Sequence, residues 1–267
     1  MGIVSRRRLA SLAVAALVTT AVPARAEERC SGDQVVQALE DLFRADGQVA
    51  QIEMRVVRPQ STRTLRMRFW FVKAGQGGED RALAQVEAPA AERGVASLRL
   101  GNKMWSFVPS TGRVQQVPES MMLGSWMGSD WTNDDLVKDS SLRDDYSIQG
   151  CKLIDLDGPA YEIDLRPRKG REVVWDRIVA SVRRGGENDM MPLKQDFYSR
   201  RAGELVLARS MEFSDFRELG GRRLPARMTL QPSGRPGHRT EVRYLSIEFG
   251  ADIPDRIFSL SNLQRAR

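Results

Sequence analysis

Short segments in which apolar and polar residues alternate recur along most of this chain, and they restrict its fold more than any other feature. Residues 64–73 give the clearest case, because every second side chain there is apolar: Leu65, Met67, Phe69 and Phe71. A period of two places these side chains on one face of a β-strand. This strand therefore has a wholly apolar face that the fold must cover.

Ten further segments have strand-like patterns. They are residues 96–100, 104–108, 113–117, 146–154, 160–166, 176–183, 193–199, 204–213, 222–230 and 240–249. Turn sequences such as Gly101-Asn102 and Asp157-Gly158-Pro159 separate them. Regularly spaced strands with short turns predict a mainly β, α+β fold, in which residues 27–267 form one domain with an antiparallel sheet of about ten or eleven strands.

A helix precedes the strands, and one irregular segment interrupts them. The helix is expected between Ser31 and Asp46-Gly47, with five apolar residues on one face: Val35, Val36, Leu39, Leu42 and Phe43. Residues 119–145 lack strand periodicity and are expected to contain one short helix near 132–138. Long irregular connections in compact domains are usually functional. We assign six residues to a lid or docking loop here: Met121, Met122, Trp126, Met127, Asp130 and Trp131.

The first 26 residues have the pattern of a cleavable secretory signal peptide. Arg6, Arg7 and Arg8 precede an apolar stretch that ends in the cleavage motif Ala24-Arg25-Ala26. The stretch is shorter than the ~20 apolar residues that a membrane-spanning helix needs. We expect cleavage after Ala26, no membrane anchor, export by the general secretory route rather than the twin-arginine route, and residence in the periplasm.

The basic charge of the chain largely reflects this leader. The whole sequence has 41 Lys+Arg against 35 Asp+Glu, a net charge of +6. Without the four arginines of residues 1–26, the remaining chain is nearly neutral. A nearly neutral, exported chain lacks both the basic surface and the compartment for nucleic-acid binding, so we expect no nucleic-acid partner.

Residues suited to catalysis or metal binding are scarce. The single histidine, His238, lies in a Gly/Pro turn, where we expect no catalytic triad. The sequence contains no nucleotide-binding or serine-hydrolase motif. Six aspartates, at positions 130, 134, 135, 139, 144 and 145, lack the ligand order of an EF-hand, and we attribute them to helix capping and solvation. The sequence thus favours a binding protein with no catalytic residue, cofactor or metal.

Two cysteines, Cys30 and Cys151, could form one disulfide in an oxidising periplasm. Such a bond would attach the N-terminal helix to the middle of the domain. Two buried free thiols are the alternative that the sequence leaves open.

The apolar face of the predicted sheet needs more cover than one helix and one loop supply. We therefore expect a lined apolar cavity, with six ligand-binding residues: Leu65, Met67, Phe69, Phe71, Trp105 and Phe107. The methionines of the loop suit such a site because their side chains adapt to varied apolar ligands. The other interpretation is that the Met and Trp side chains fill the sheet as ordinary core.

Several of these segments resemble the outer-membrane lipoprotein-sorting proteins of the LolA-like superfamily. The resemblance is carried by Met104-Trp105-Ser106-Phe107-Val108-Pro109 with Arg113-Val114, Met127-Gly128-Ser129-Asp130-Trp131 with Asp134-Asp135-Leu136, Pro192-Leu193-Lys194, Leu224-Pro225, and Phe258-Ser259 to Leu263. These motifs span essentially the whole mature chain. The two cysteines are not part of the family pattern.

The resemblance implies an incomplete antiparallel β-barrel, partly closed by helices, that receives acyl chains of lipoproteins or lipids in the periplasm. It also implies a link to an inner-membrane exporter of the resistance-nodulation-division (RND) type, and it places the Gly128-Ser129-Asp130 loop at the cavity mouth. We expect a monomeric carrier. Two other interpretations stay open: a cofactor-free enzyme on the same fold, and an envelope adaptor protein with a filled cavity.

Overall fold

The computed structural model describes residues 30–43, 45–74, 78–137, 142–171, 173–184 and 190–265. Four α-helices lie within these ranges: α1 (Gly32–Asp41), α2 (Asn133–Val137), α3 (Leu142–Asp145) and α4 (Leu260–Arg265). Short 3-10 helices occupy Ala90–Glu92, Glu119–Met121, Trp126–Gly128 and Asp255–Phe258. The expected signal peptide and Asp139 lie outside the described residues.

The described residues form thirteen strands. They are β1 (Gly47–Arg58), β2 (Ser61–Val72), β3 (Arg81–Ala88), β4 (Ala96–Leu100), β5 (Lys103–Val108), β6 (Arg113–Gln116), β7 (Tyr146–Asp155), β8 (Pro159–Pro167), β9 (Arg177–Arg184), β10 (Met190–Arg201), β11 (Glu204–Leu219), β12 (Arg222–Pro232) and β13 (Arg239–Phe249). All pair antiparallel in one sheet, in the order β6-β5-β4-β3-β2-β1-β13-β12-β11-β10-β9-β8-β7. In the described chain, β6 and β7 are the two edges, so the sheet does not close into a full barrel.

The predicted mainly β fold, the incomplete barrel and the N-terminal helix are confirmed. The described residues form thirteen strands rather than ten or eleven, because β1 and β3 were not among the predicted segments. The helix expected near residues 132–138 is α2.

Strand register defines an inner face of the sheet. Cross-strand pairing places Met54 beside Leu65, Ile52 beside Met67, and Ala50 beside Phe69. These side chains belong to one buried apolar cluster, which also includes Trp126 and Val137 from the connection between β6 and β7. We call the face that bears Leu65 and Met67 the inner face.

The rest of the inner face is covered by α1. Val35 and Val36 are buried against the apolar side chains of β8 and β9, among them Ile163 and Ile178. Cys30, just before α1, forms a disulfide with Cys151 of β7, with the two Cα atoms 5.6 Å apart. The disulfide therefore holds the start of α1 against an edge strand.

The opposite, outer face is covered near its β6 edge by the C-terminal segment. Phe258 and Leu263, from the C-terminal segment, are buried against Leu83, Leu98 and Phe107 of β3, β4 and β5. The two covers of the inner face, α1 and the β6–β7 connection, thus come from different parts of the chain.

Candidate functional site

Residues 117–137, which we call the lid segment, cross the inner face over β1–β5. Trp126 is the most deeply placed of its large residues, with 5% of its surface exposed. Met122, Met127 and Trp131 pack more loosely on the same cluster, whereas Met121 is 58% exposed. The lid segment therefore has apolar contacts with the sheet at some positions and faces solvent at others.

A buried polar contact fixes Trp126. Its indole Nε1 donates to the Oγ of Ser97 on β4, at 3.1 Å. Ser97 is itself buried, so this bond satisfies two groups that water does not reach. A cavity of about 280 Å³ lies beside the tryptophan, between the lid segment and β4–β6.

The tip of the lid segment is bonded to the ends of β1 and β13. Arg58 of β1 donates to Asp130 Oδ2 at 3.0 Å and to the carbonyl oxygen of Gly128 at 2.9 Å. Thr240 of β13, which is fully buried, donates from its hydroxyl to Asp130 Oδ2 at 2.6 Å and accepts from the Asp130 N–H at 2.9 Å. Asp130 is thus a structural anchor of the lid segment.

A second arginine supports the same turn. Arg63 of β2 donates from Nη1 to the carbonyl oxygen of Met127 at 2.7 Å and from Nε to Glu92 at 2.7 Å. The hydrogen bonds from Arg63 lower the pKa of Glu92, and the pair raises the pKa of Arg63. Met127 and Gly128 have φ angles of 47° and 71°, in the left-handed region, and the two arginines hold the carbonyl groups of this turn.

The helix α2 is connected to the opposite part of the sheet. The Thr132 N–H donates to Asp135 Oδ2 at 2.8 Å and the Asp135 N–H donates to Thr132 Oγ1 at 3.2 Å, a reciprocal capping arrangement. The Asp135 carboxylate also accepts two bonds from Arg209 of β11, at 2.7 and 2.6 Å. Asp135 therefore caps the start of α2 and also forms an ion pair with Arg209 of β11.

A cavity of about 680 Å³ lies beside this ion pair. Its lining combines apolar and aromatic groups with charged ones. The apolar and aromatic residues are Ala74, Trp131, Leu142, Tyr146, Val173, Val174, Trp175, Ile178, Phe197 and Met211. The charged residues are Glu79, Asp80, Asp134, Asp135, Asp144, Asp145, Arg99 and Arg209. This cavity opens between the lid segment, α3 and the strands on both sides.

Two groups in the cavity wall are strongly desolvated. Tyr146 is almost fully buried and donates to the Trp175 carbonyl oxygen at 3.2 Å, and burial raises its pKa, so the phenol stays neutral. Arg209 is 7% exposed, and its guanidinium carbon lies 4.4 Å from the Trp175 ring centroid and 4.8 Å from that of Phe197. Cation–π contacts of this kind stabilise a buried guanidinium.

The structure divides the six expected ligand-binding residues between the two faces. Leu65 and Met67 are fully buried under the lid segment, and Phe69 packs beside them. Phe71 follows in the same register and is half-buried. Trp105 and Phe107 pair with Leu98 and Ala96 and contact the C-terminal segment on the outer face. None of the six lines the larger cavity, which among the expected loop residues contains only Trp131.

Sequence reasoning did not single out Arg58, Arg63 or Arg209. A signal exists for Arg209, because it shares the inward parity of β11 with Met211 and Phe213. A charge in an apolar series requires a buried partner. Arg58 and Arg63 carry no such signal, since they flank the turn between β1 and β2, where arginine is ordinarily solvated.

Neither a metal-binding cluster nor a membrane-spanning helix is found within the described ranges. No cluster of three or more potential ligand side chains there is suited to a metal ion. Among the helices described, none has the length and apolarity needed to span a bilayer. His238 lies in the turn between β12 and β13, two residues before Thr240.

Comparison with known proteins places the chain by fold and by family. It is similar to the crystal structure of a DUF1329 family protein from Desulfovibrio piger, with 22% identity, 86% of this chain and 96% of the other covered, and a TM-score of 0.73. It is also similar to a structure described as an outer-membrane lipoprotein-sorting protein domain from Vibrio parahaemolyticus, with 18% identity, coverage of 87% and 97%, and a TM-score of 0.72.

A LolA superfamily protein from Nitrosomonas europaea shows the same fold, with 21% identity, coverage of 88% and 100%, and a TM-score of 0.67. No curated protein gives a significant match. The profile of a protein family described as uncharacterized protein matches residues 78–265. The chain has the fold of the LolA superfamily and belongs to this uncharacterized protein family.

Proposed function

We propose that the protein is a periplasmic carrier that binds the acyl chains of lipoproteins or lipids on the inner face of its sheet. One observation carries the proposal: an apolar face is covered by a separate segment whose tip is held by polar contacts. The solved structures that share this fold include a lipoprotein-sorting domain, which supports the same function here.

Displacement of the lid segment would expose apolar surface that a ligand can cover. If its tip leaves Arg58 and Arg63, the apolar surface around Leu65, Met67 and Phe69 loses its cover. An acyl chain in the same place restores the burial, at ~0.8 kcal/mol per methylene group. Because one apolar cover replaces another, exchange needs no large net free energy and no nucleotide.

The proposed binding surface comprises Leu65, Met67, Phe69 and Phe71, with the larger cavity as its entrance. Met122, Trp126 and Met127 form the movable cover, Asp130 anchors it, and Trp131 connects it with the cavity. We assign Trp105 and Phe107 to packing of the C-terminal segment rather than to the ligand.

The remaining parts of the proposal concern the cellular setting. Residues 1–26 are a signal peptide that directs export by the general secretory route and is then cleaved. Residues 27–267 form one monomeric domain. An inner-membrane RND-type exporter is the proposed transport partner. The protein binds and transfers its ligand, and no residue is assigned to catalysis.

The experiment is native mass spectrometry of protein purified from its own periplasm, followed by delipidation and titration with a fluorescent fatty acid. We expect a copurifying lipid or lipoprotein, and saturable uptake after delipidation. A protein that is empty and takes up no probe would instead be an adaptor with a filled inner face. A copurifying small molecule that the protein converts would identify an enzyme on this fold.

A further inference from the structure

A row of charged side chains crosses the outer face on four neighbouring strands. Arg66 of β2 pairs with Glu53 of β1, and Glu53 pairs on its other side with Arg243 of β13. Arg243 in turn pairs with Arg227 of β12. Met54, the neighbour of Glu53 in the sequence, is buried on the inner face, so the row lies on the opposite side of the sheet. We call Arg66, Arg227 and Arg243 the arginine row.

The arginine row has few contacts that neutralise its charge. Within the described residues, none of its three members forms an ion pair, and Glu53 is the one carboxylate in register with them. Arg227 and Arg243 lie directly opposite each other, and like charges in this arrangement destabilise a sheet. The buried Nε of Arg243 has no hydrogen-bond acceptor in the described part of the chain. Three guanidinium groups thus share one carboxylate.

The nearby carboxylate of Asp215, on β11, already has an arginine partner. It forms an ion pair with Arg217. Hydrogen bonding from Arg217 is the main cause of the lowered pKa of Asp215, to which Arg243 and Arg227 contribute less. Because Asp215 and Arg217 balance each other, the excess of positive charge in the arginine row remains.

Carboxylates at the adjoining outer-face positions also have their own cations. Glu241 is contacted by two arginines, Arg239 at 2.7 Å and Arg55 at 3.7 Å. Glu212 lies opposite Lys194 in the register of β11 and β10. Although the chain outside residues 1–26 is nearly neutral, this part of its outer face therefore has a local excess of positive charge.

We propose that the arginine row docks the outer face onto the surface of a bilayer that contains anionic phospholipids. Guanidinium groups bind phosphate oxygens in a bidentate arrangement. Three of them on strands ~4.8 Å apart span about 14 Å, which suits a layer of phosphates better than a single small anion. The inference goes beyond the proposed carrier function, because the arginine row lies on the face opposite the proposed acyl-chain surface. Docking in this way leaves the inner face and the lid segment free.

The surroundings of the arginine row favour a lipid surface over a folded protein partner. Protein interfaces have an apolar core from which charged residues are depleted. Hydroxyl side chains flank the row instead, among them Ser214, Thr229 and Ser246. Leu245 is the single exposed large apolar side chain among the described residues of β1, β2, β12 and β13. One such side chain is too little for an apolar interface core.

The experiment is sedimentation of the exported protein with phosphatidylcholine vesicles that contain or lack phosphatidylglycerol, at about 0.1 M salt. We expect the bound fraction to rise with the phosphatidylglycerol content and to be negligible with phosphatidylcholine alone. Binding should be lost near 1 M salt, where the screening length falls from ~10 Å to ~3 Å. A wild-type protein that stays in solution with both kinds of vesicle would overturn the proposal.

A triple variant locates the docking surface. Arg66→Gln, Arg227→Gln and Arg243→Gln, combined in one chain, should lower the partition coefficient about 100-fold, because each arginine near an anionic surface changes binding about fivefold. Circular dichroism and thermal unfolding check that the triple variant is folded. If it is not, the exposed Arg66→Gln alone decides the question, with an expected loss of about fivefold.

The matched control removes the same charge elsewhere. Lys103→Gln, Arg113→Gln and Arg201→Gln, combined in a second chain, change exposed positions of β5, β6 and β10. This control should bind within about threefold of the wild type, since charges beyond the screening length contribute little. Equal losses in the two triple variants would show that net charge alone attracts the protein, and would contradict docking through the arginine row.

Two further measurements separate this proposal from its neighbours. Uptake of a fluorescent fatty acid from solution should be the same in the wild type and the arginine-row variant, so a failure of docking and a failure of the carrier function are distinguishable. Poly-L-glutamate serves as a probe for an acidic protein partner. If the wild type binds it through the arginine row but does not sediment with anionic vesicles, the row is a protein-docking surface and the proposal is wrong.

Discussion

Arg58 Nη1 donates to Asp130 Oδ2 at 3.0 Å and joins the end of β1 to the lid segment, 72 positions away in the sequence. The Asp130 side chain is 5% exposed and the Arg58 side chain 24% exposed, so the pair is partly shielded from solvent. The lid segment thus depends on apolar packing around Trp126 and on polar contacts around Asp130. The two kinds of contact can be weakened separately by mutation.

Replacement of Arg58 by glutamine should loosen the lid segment without removing apolar surface. We expect unfolding free energy to fall by about 1–3 kcal/mol, because Asp130 and the Gly128 carbonyl lose charged hydrogen bonds. Uptake of a fluorescent fatty acid by delipidated protein should become faster in stopped-flow measurements.

Arg55→Gln is the control for this prediction, because Arg55 lies on the outer face of the same strand and forms a longer contact with Glu241, at 3.7 Å. Its uptake rate should equal that of the wild type. An unchanged rate in Arg58→Gln would show that the polar contacts do not hold the lid segment closed.

The Arg63–Glu92 pair should make stability depend on pH. Because hydrogen bonds from Arg63 lower the pKa of Glu92 in the folded protein, the pair stabilises the fold above the ordinary carboxyl pKa of 4.5. That contribution is lost as the pH falls through the lowered pKa. We expect Glu92→Gln to melt below the wild type at pH 7, and the difference to shrink as the pH falls below 4.5.

Melting temperatures measured from pH 3 to pH 7 test this dependence. Arg63→Gln should abolish the same pH-dependent difference, and the double variant should show no further loss from it. A wild-type advantage over Glu92→Gln that does not shrink between pH 7 and pH 3 would argue against the assigned cause.

The disulfide between Cys30 and Cys151 should be present in the exported protein. Denatured, unreduced protein should therefore contain no thiol that reacts with Ellman's reagent. Removal of the bond by the double substitution of Cys30 and Cys151 with serine should cost about 2–4 kcal/mol of unfolding free energy. Two reactive thiols in the unreduced wild type would contradict the assignment.

Much of the fold followed from simple periodicity, because an antiparallel sheet with one covered face imposes alternation on its strands. The β3 strand was not predicted because Arg81–Ala88 contains three alanines, which have low strand propensity and give little contrast in polarity between the two faces. The β1 strand does alternate, with Ala50, Ile52 and Met54 on one face, and the same rule could have identified it.

The site was less predictable from the sequence. Alternation within one strand shows which side chains lie on the same face of that strand, but it does not show which side chains of another strand lie on that face of the sheet. Leu65 and Trp105 both occupy apolar positions, yet the register through β3 and β4 places them on opposite faces. The C-terminal segment covers the outer face at this edge, so both parities of β5 are apolar. Only the pairing of strands resolves this.

This difference between faces gives a final prediction, which compares Met67→Ala with Trp105→Ala. Both remove large apolar side chains from neighbouring parts of the sheet and should destabilise the protein, by about 2–5 kcal/mol for the buried methionine. Met67 lies under the lid segment with Trp126, whereas Trp105 packs against the C-terminal segment. If acyl chains bind on the inner face, only Met67→Ala should change the dissociation constant of a fluorescent fatty acid. Titrations well below both melting temperatures separate binding from stability. A larger effect of Trp105→Ala would move the acyl site to the outer face, where displacement of the C-terminal segment rather than the lid segment would admit the ligand.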